Sequence, residues 1–195
     1  MINIPYKVVL ASASPRRKEL LAGLGIDFSI RVLENIDESS PSHLQGEDIP
    51  LYISGKKADA YIMGLATDEL LITADTIVYI DGEVLGKPST PQEAEEMLRK
   101  LSGKWHQVIT GVVLSTKEKC HSFAVTTQVK FAELTEAEIE YYVNRYSPLD
   151  KAGAYGIQEW IGYIGVERIE GSYFNVVGLP VQRLYQELKQ FVSDK

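Results

Sequence analysis

One stretch constrains the fold of this chain more than any other. Val8-Val9-Leu10 is an unbroken apolar run, and only a few small residues separate it from Ser14-Pro15. The run reads as a short buried strand over 7–12, stopped by hydroxylic turn formers. Ser14 can cap free backbone amides, and Pro15 fits the first position of a helix. Leu20, Leu21 and Leu24 then share one helical face, and Gly25 suits the left-handed position that ends it. A strand that passes so directly into a helix points to an α/β protein, and the rest of the chain repeats the alternation.

Residues 28–32 (FSIRV) alternate as a strand, and 33–47 (LENIDESSPSHLQGE) are a polar loop rich in turn formers and carboxylates. A helix is expected over 48–64. Two strand-like runs flank Asp81-Gly82, the signature of a hairpin. Thr90-Pro91-Gln92-Glu93 and Thr135 with Glu138 each read as a capping box. The first opens a helix with Ala94, Met97, Leu98 and Leu101 on one side, the second a helix through about Arg145. Strands are expected over 105–116 and 121–133. Residues 148–160 read as irregular, 161–169 as a strand, 171–178 as a loop, and Pro180 as the start of a last helix. The fold class is therefore α/β with a mixed sheet and flanking helices, laid out as a single domain over 1–195.

A formal net charge of −7 disfavours general affinity for nucleic acid or an anionic membrane, so any phosphate site must be a local basic pocket. Cys120 is the only cysteine and the three histidines are widely spaced, which excludes an internal disulfide and a zinc-ligand pattern. The apolar runs are too short for a signal peptide or a membrane span, and the expected location is the cytoplasm.

Several residues could carry chemistry. Arg16 and Arg17 sit in the first turn of a helix, where the macrodipole disfavours cations. An anionic ligand bound by the amides at that terminus, by Ser12 and by planar guanidinium groups would reverse the sign. A capped surface helix whose arginines pair with carboxylates is the plainer alternative. Asp75 arrives at the end of an apolar run (Ile72-Thr73-Ala74-Asp75-Thr76), where α/β proteins place ligand and catalytic groups; a local turn bond is the alternative. Such a carboxylate can hold Mg²⁺ or take a proton from water. Asp37-Glu38 offers further hard oxygens, by default solvated. Lys87 is held at a Gly-Lys-Pro corner and Lys57 lies in a Lys-Lys pair; taken alone, either reads as surface. The small residues of 152–158 allow close approach by a ligand. Neither standard phosphate-binding glycine motif is present.

Taken together, LASASPRRKELLAGLG, ADTIV, DGEVLGKP, the spaced motif from Met97 to Val112, PLDKAGAYGIQ and VERIEGSYFNVVGLP resemble the Maf family of nucleoside triphosphate pyrophosphatases, over residues 10 to 180. The resemblance implies a Maf/Ham1-like fold of two lobes around a deep cleft, often dimeric. It also implies hydrolysis of a nucleoside triphosphate between the α and β phosphates, with a divalent cation, Mg²⁺ or Mn²⁺. By position, Asp75 matches the proton acceptor, and Arg16, Thr76 and Gln158 match residues that mark the branch acting on dTTP and UTP. The 7-methyl-GTP branch instead carries Trp after Ser-Pro and Gln after the catalytic Asp. Ser12, Arg17, Lys57 and Lys87 match phosphate-binding positions, and Glu38 with Asp75 the metal site. The sequence departs from the family pattern at Ser54-Gly55-Lys56 and at Glu159-Trp160, where small residues are more usual. A nucleotide-binding regulator of septum formation without catalysis, and a 7-methyl-GTP pyrophosphatase, are the competing readings.

Overall fold

A computed structural model describes residues 2–193. The chain divides into two compact units: one comprises the residues up to Asp75, Thr110–Val125 and the segment from Gly178 onward, the other Thr76–Ile109 and Thr126–Val177. Among the described residues, seven strands form a mixed sheet in the order β2 (Phe28–Ile30), β1 (Lys7–Leu10), β3 (Glu69–Ile80), β5 (Trp105–Ser115), β6 (Cys120–Phe131), β7 (Val166–Glu170), with β4 (Glu83–Leu85) paired to β3.

In the first unit, β1 (Lys7–Leu10) lies parallel to both β2 (Phe28–Ile30) and the start of β3 (Glu69–Ile80). Period-two alternation divides these strands between two cores. Val8, Leu10, Leu70, Ile72 and Ala74 pack with Leu21 of α1 (Pro15–Ala22) and Leu184 and Leu188 of α7 (Val181–Ser193). Val9 and Leu71 face Ala58 and Tyr61 of α2 (Asp48–Ile62). Both faces of β1 and of the start of β3 are covered, which is why these two strands read as continuous apolar runs. The helix expected from Ser14 forms as its residues dictate: the Ser14 side chain accepts from the Arg17 N–H, and Pro15 is the first helical residue. Gly25 has φ +67°, three residues past the last helical one.

The second unit contains β4 (Glu83–Leu85), α3 (Pro91–Leu101), α4 (Glu136–Tyr146), α5 (Trp160–Gly165), β7 (Val166–Glu170) and α6 (Tyr173–Val177). It also holds the start of β5 (Trp105–Ser115) and the end of β6 (Cys120–Phe131). Asp81 and Gly82 both have positive φ, the conformation that joins β3 to β4 in a tight hairpin. The Thr135–Glu138 capping box is complete. At Thr90 only half of the expected box forms: Thr90 accepts from the Glu93 N–H, but the Glu93 carboxylate accepts from the Ser89 N–H. Two other expectations are corrected. Residues 160–165 are a helix and the strand starts at Val166, because Ile161 is drawn fully into the core and Trp160 stacks edge-on against Tyr141. The expected loop 171–178 contains α6, with Asn175 buried and its amide donating to Val108 O at 3.0 Å.

His106 belongs to this unit's core. Its Nε2 lies 2.8 Å from the Tyr155 hydroxyl, and its Nδ1 has no partner among the described residues. Burial lowers its pKa from 6.5 to about 4. Between those values the unfolded chain binds a proton that the folded chain does not, so stability falls as pH drops from 6.5 toward 4. The full effect is on the order of 3 kcal/mol. His106→Gln keeps a polar group beside Tyr155 and removes the titration. Its melting temperature should fall less than the parent's between pH 7 and pH 4.5, and equal falls in a thermal-shift series would refute this.

Candidate functional site

The alternation of β3 sets up the site in the first unit. Leu71, Thr73 and Asp75 leave the strand on one face, toward α2. On α2, residues 54, 57, 58 and 61 share the facing stripe, as three- and four-residue spacing requires. The two periods mesh: Thr73 Oγ1 donates to Ser54 O at 2.9 Å, and two residues on, Asp75 Oδ1 accepts from Lys57 Nζ at 2.9 Å. Ser54 Oγ also donates to Gly111 O at 2.9 Å, tying α2 to β5. A Cβ on Gly111 would lie 2.5–2.6 Å from backbone atoms of Pro50 and Leu51, so only glycine lets the helix approach this closely.

The Lys57–Asp75 pair is buried, with side chains 11% and 12% exposed. Removing Lys57 costs about 3–5 kcal/mol, because the enclosed Asp75 carboxylate is then stranded. Lys57 Nζ also contacts Glu38 Oε1 at 3.1 Å, so one ammonium bridges two carboxylates. Its neighbour Lys56 bonds to Asp37 Oδ2 at 2.7 Å. Together with the Ser39 N–H and hydroxyl, Lys56 holds the Asp37 carboxyl well below the usual range. Tyr61 anchors the start of the same loop, donating to Arg31 O and accepting from the Leu33 N–H. The acidic segment that reads as solvated is thus strapped along α2 by consecutive lysines, and Lys57 is buried rather than on the surface.

At the start of α1, Ser12 is buried and its Oγ accepts from the Ser14 N–H. Arg17 donates from Nε to Gly178 O and from Nη1 to Ala74 O, both at 2.9 Å. Burial lowers its pKa, and Asp75 acts in the opposite sense. Arg17 therefore clamps the backbone immediately before Asp75, while its charge remains in the same neighbourhood. Arg16, the next residue back, is half-buried.

In the second unit, Thr76 follows Asp75 on β3 and is partly exposed. Lys87 and Gln158 are exposed, and their segments are joined: Gly153 N–H donates to Gly86 O at 3.0 Å. Gln158 lies in a stretch whose flanks are fixed by Tyr142 and Lys151, which sequence reasoning passed over, and by Glu159, which it marked only as a departure from the family pattern. Tyr142, fully buried in α4, accepts from the Gly156 N–H and donates to Glu159, which also contacts Lys151. The only sequence signal for that network was an acid beside Gln158 and a lysine in a glycine-rich stretch.

Asp75 and Glu38 suit a hard cation. Both are carboxylates already gathered around one positive charge, and Mg²⁺ commonly takes one or two carboxylates and completes its shell with phosphate oxygens and water. Among the described residues, no group of three or more His, Cys, Asp or Glu forms a protein-only cage. No helix of the described residues is long and apolar enough to cross a membrane.

The family model described as "Maf-like protein" matches residues 7–191. A protein of Bacteroides fragilis named dTTP/UTP pyrophosphatase is 62% identical over 185 residues, covering 95% of this chain and 96% of its own length. Relatives with the same name come from Phocaeicola vulgatus, 60% identical and 96% covered, and Porphyromonas gingivalis, 55% identical and 94% covered; each alignment spans 95% of this chain.

Proposed function

The chain belongs to the Maf family, and on that premise we propose that it hydrolyses dTTP, UTP and modified pyrimidine triphosphates to the monophosphate and pyrophosphate. The observation that carries the reading is the buried Lys57–Asp75 pair midway along β3, with the exposed Glu38 carboxylate on the same ammonium. Hydrolysis at the α phosphorus needs an in-line water, an acceptor for its proton, and neutralisation of the departing pyrophosphate. Asp75 orients the water and takes the proton. Lys57 bonds that carboxylate and keeps it aimed. Arg16, Lys57 and Lys87 neutralise phosphate charge, with Ser12 contributing a hydroxyl. Arg17 adds its charge while two of its donors hold Gly178 and Ala74.

Asp75 and Glu38 would hold Mg²⁺ or Mn²⁺, which when bound supplies charge to the phosphate oxygens and lowers the pKa of its water. Gln158 offers its amide to the N3–H and a carbonyl of a uracil-type base. Because a terminal amide can flip, Arg16 and Thr76 add the selectivity that Gln158 lacks alone.

Pyrophosphate release with Mg²⁺ over dTTP, UTP, CTP and 7-methyl-GTP tests the proposal. Equimolar monophosphate and pyrophosphate are expected from dTTP and UTP, with turnover at least about tenfold above the other two. Release of diphosphate and orthophosphate would move the cleavage site. Binding without any product would make the chain a sensor, and a preference for 7-methyl-GTP would overturn the substrate.

A further inference from the structure

Gln158 lies between two residues that are pinned from inside the second unit. On one side, the Gly156 N–H donates to Tyr142 Oη at 3.0 Å. On the other, the Glu159 carboxylate accepts from Tyr142 Oη through Oε2 and meets Lys151 Nζ through Oε1 at 3.1 Å. Lys151 is buried and bonds Asp150 Oδ1 at 2.7 Å, and the Glu159 N–H donates back to Gly156 O at 2.9 Å. The ring of contacts is tight: a Cβ on Gly156 would come within 2.9–3.0 Å of the Glu159 carboxylate and the Lys151 stem. One residue earlier, Tyr155 Oη meets His106. Two residues beyond Glu159, Ile161 is fully buried. Gln158 is the exposed member of an otherwise immobilised segment.

An exposed glutamine normally samples many rotamers, and a base contact made by one loses affinity to that freedom. Fixing the main chain on both sides removes the backbone share of the loss. It also prevents the segment from receding before a larger ring. We propose that Glu159, through Tyr142 and Lys151, is a positioning residue for the base contact of Gln158, and that it holds the enzyme to pyrimidine over purine triphosphates. This rests on the reading above that Gln158 meets the base. Burial and the adjacent carboxylate push the Tyr142 hydroxyl pKa up, so it stays a donor to Glu159 across the working pH range.

The test compares Glu159→Gln, Tyr142→Phe, the double variant and Gln158→Ala in the pyrophosphate-release assay. Inorganic tripolyphosphate serves as a base-free competitive inhibitor. Glu159→Gln keeps the shape and loses the charge that holds Lys151; Tyr142→Phe keeps the ring and loses the shared hydroxyl. Each is expected to raise KM for dTTP and UTP on the order of tenfold and to lower the dTTP to 7-methyl-GTP ratio of kcat/KM by a similar factor. Their kcat should change less than about threefold, and the tripolyphosphate inhibition constant should not move. The double variant should be no worse than the more severe single one, because both break the same unit.

A merely structural role would lower kcat for every nucleotide together and weaken tripolyphosphate binding; that pattern overturns the proposal. If Gln158→Ala shifts KM and selectivity while Glu159→Gln and Tyr142→Phe do not, the inference fails and the base-contact reading survives. If Gln158→Ala shifts neither, both fall.

Discussion

Asp75→Asn is expected to reduce kcat for dTTP roughly 10²–10⁴-fold, the usual worth of a positioned general base. Nucleotide binding should be retained or tightened. The asparagine oxygen can still accept from Lys57 Nζ, which sits 2.9 Å from the native carboxylate, so the local packing persists. The site gains one unit of positive charge, which favours a triphosphate. Lys57 still has Glu38 at 3.1 Å and is not left stranded. The variant should therefore bind dTTP in an equilibrium titration while releasing almost no pyrophosphate. Activity within a few-fold of the parent would remove Asp75 from the proton-accepting role. Loss of binding together with turnover would recast it as a ligand-holding group.

The second large effect comes from a residue with no functional group. Gly111→Ala would drive a methyl group to 2.5 Å from the Pro50 carbonyl carbon and 2.6 Å from the Leu51 nitrogen. Neither can yield as a flexible side chain does, so α2 must shift as a body. Overpacking of this kind costs about 1–3 kcal/mol and sometimes more. In a chain of this length each kcal/mol lowers the melting temperature by roughly 2–4 °C. Activity should suffer more than stability. The displaced helix carries Ser54, bonded to Gly111 O and Thr73, and Lys57, bonded to Asp75. A misplacement of about 1 Å in such a pair can cost on the order of 100-fold.

Gly55→Ala is the matched control. It lies in the interior of the same helix with nothing within 4 Å of the added carbon, so it should stabilise by up to about 1 kcal/mol. Melting temperatures moving in opposite directions for the pair, with kcat falling only for Gly111→Ala, are the expected result. A Gly111→Ala protein with unchanged melting temperature and turnover would show that the close approach to α2 does not govern the site.

What could be read from the sequence was whatever has a local cause. Ser14-Pro15 starts its helix by capping and a fixed φ, Thr135 and Glu138 close their box, and Asp81-Gly82 makes its hairpin, each through atoms a few residues apart. The α/β class followed because apolar runs covered on both faces need helices to cover them. The misreadings had distant causes. WIGYIG carries the β-branched and aromatic residues of a strand, yet Trp160 finds Tyr141 and Ile161 finds the core, and local preference gives way. Glu93 is the local exception, its carboxylate accepting from the Ser89 N–H instead of the Thr90 N–H one residue on.

The chemical residues divide the same way. Asp75 stood out because a carboxylate interrupts an apolar run; the expected strand end is corrected, since β3 continues past it to Ile80 and the acid sits mid-strand. Nothing near Lys57 in sequence foretold its burial, since Asp75 is 18 residues away. Nor could adjacency suggest that Arg17 spends two donors on the carbonyls of Ala74 and Gly178, or that Tyr142, Lys151 and Glu159 form one network.

The even spacing of side chains along β3 carries a consequence for descent. Successive positions look in opposite directions, so drift at Thr76 leaves the carboxylate of its neighbour undisturbed, and under the roles proposed for these two residues a lineage is free to change its taste for bases while the hydrolytic step stays intact. A gained or lost codon between Leu71 and Asp75 enjoys no such freedom, because it would turn the acid away from Lys57 in a single step.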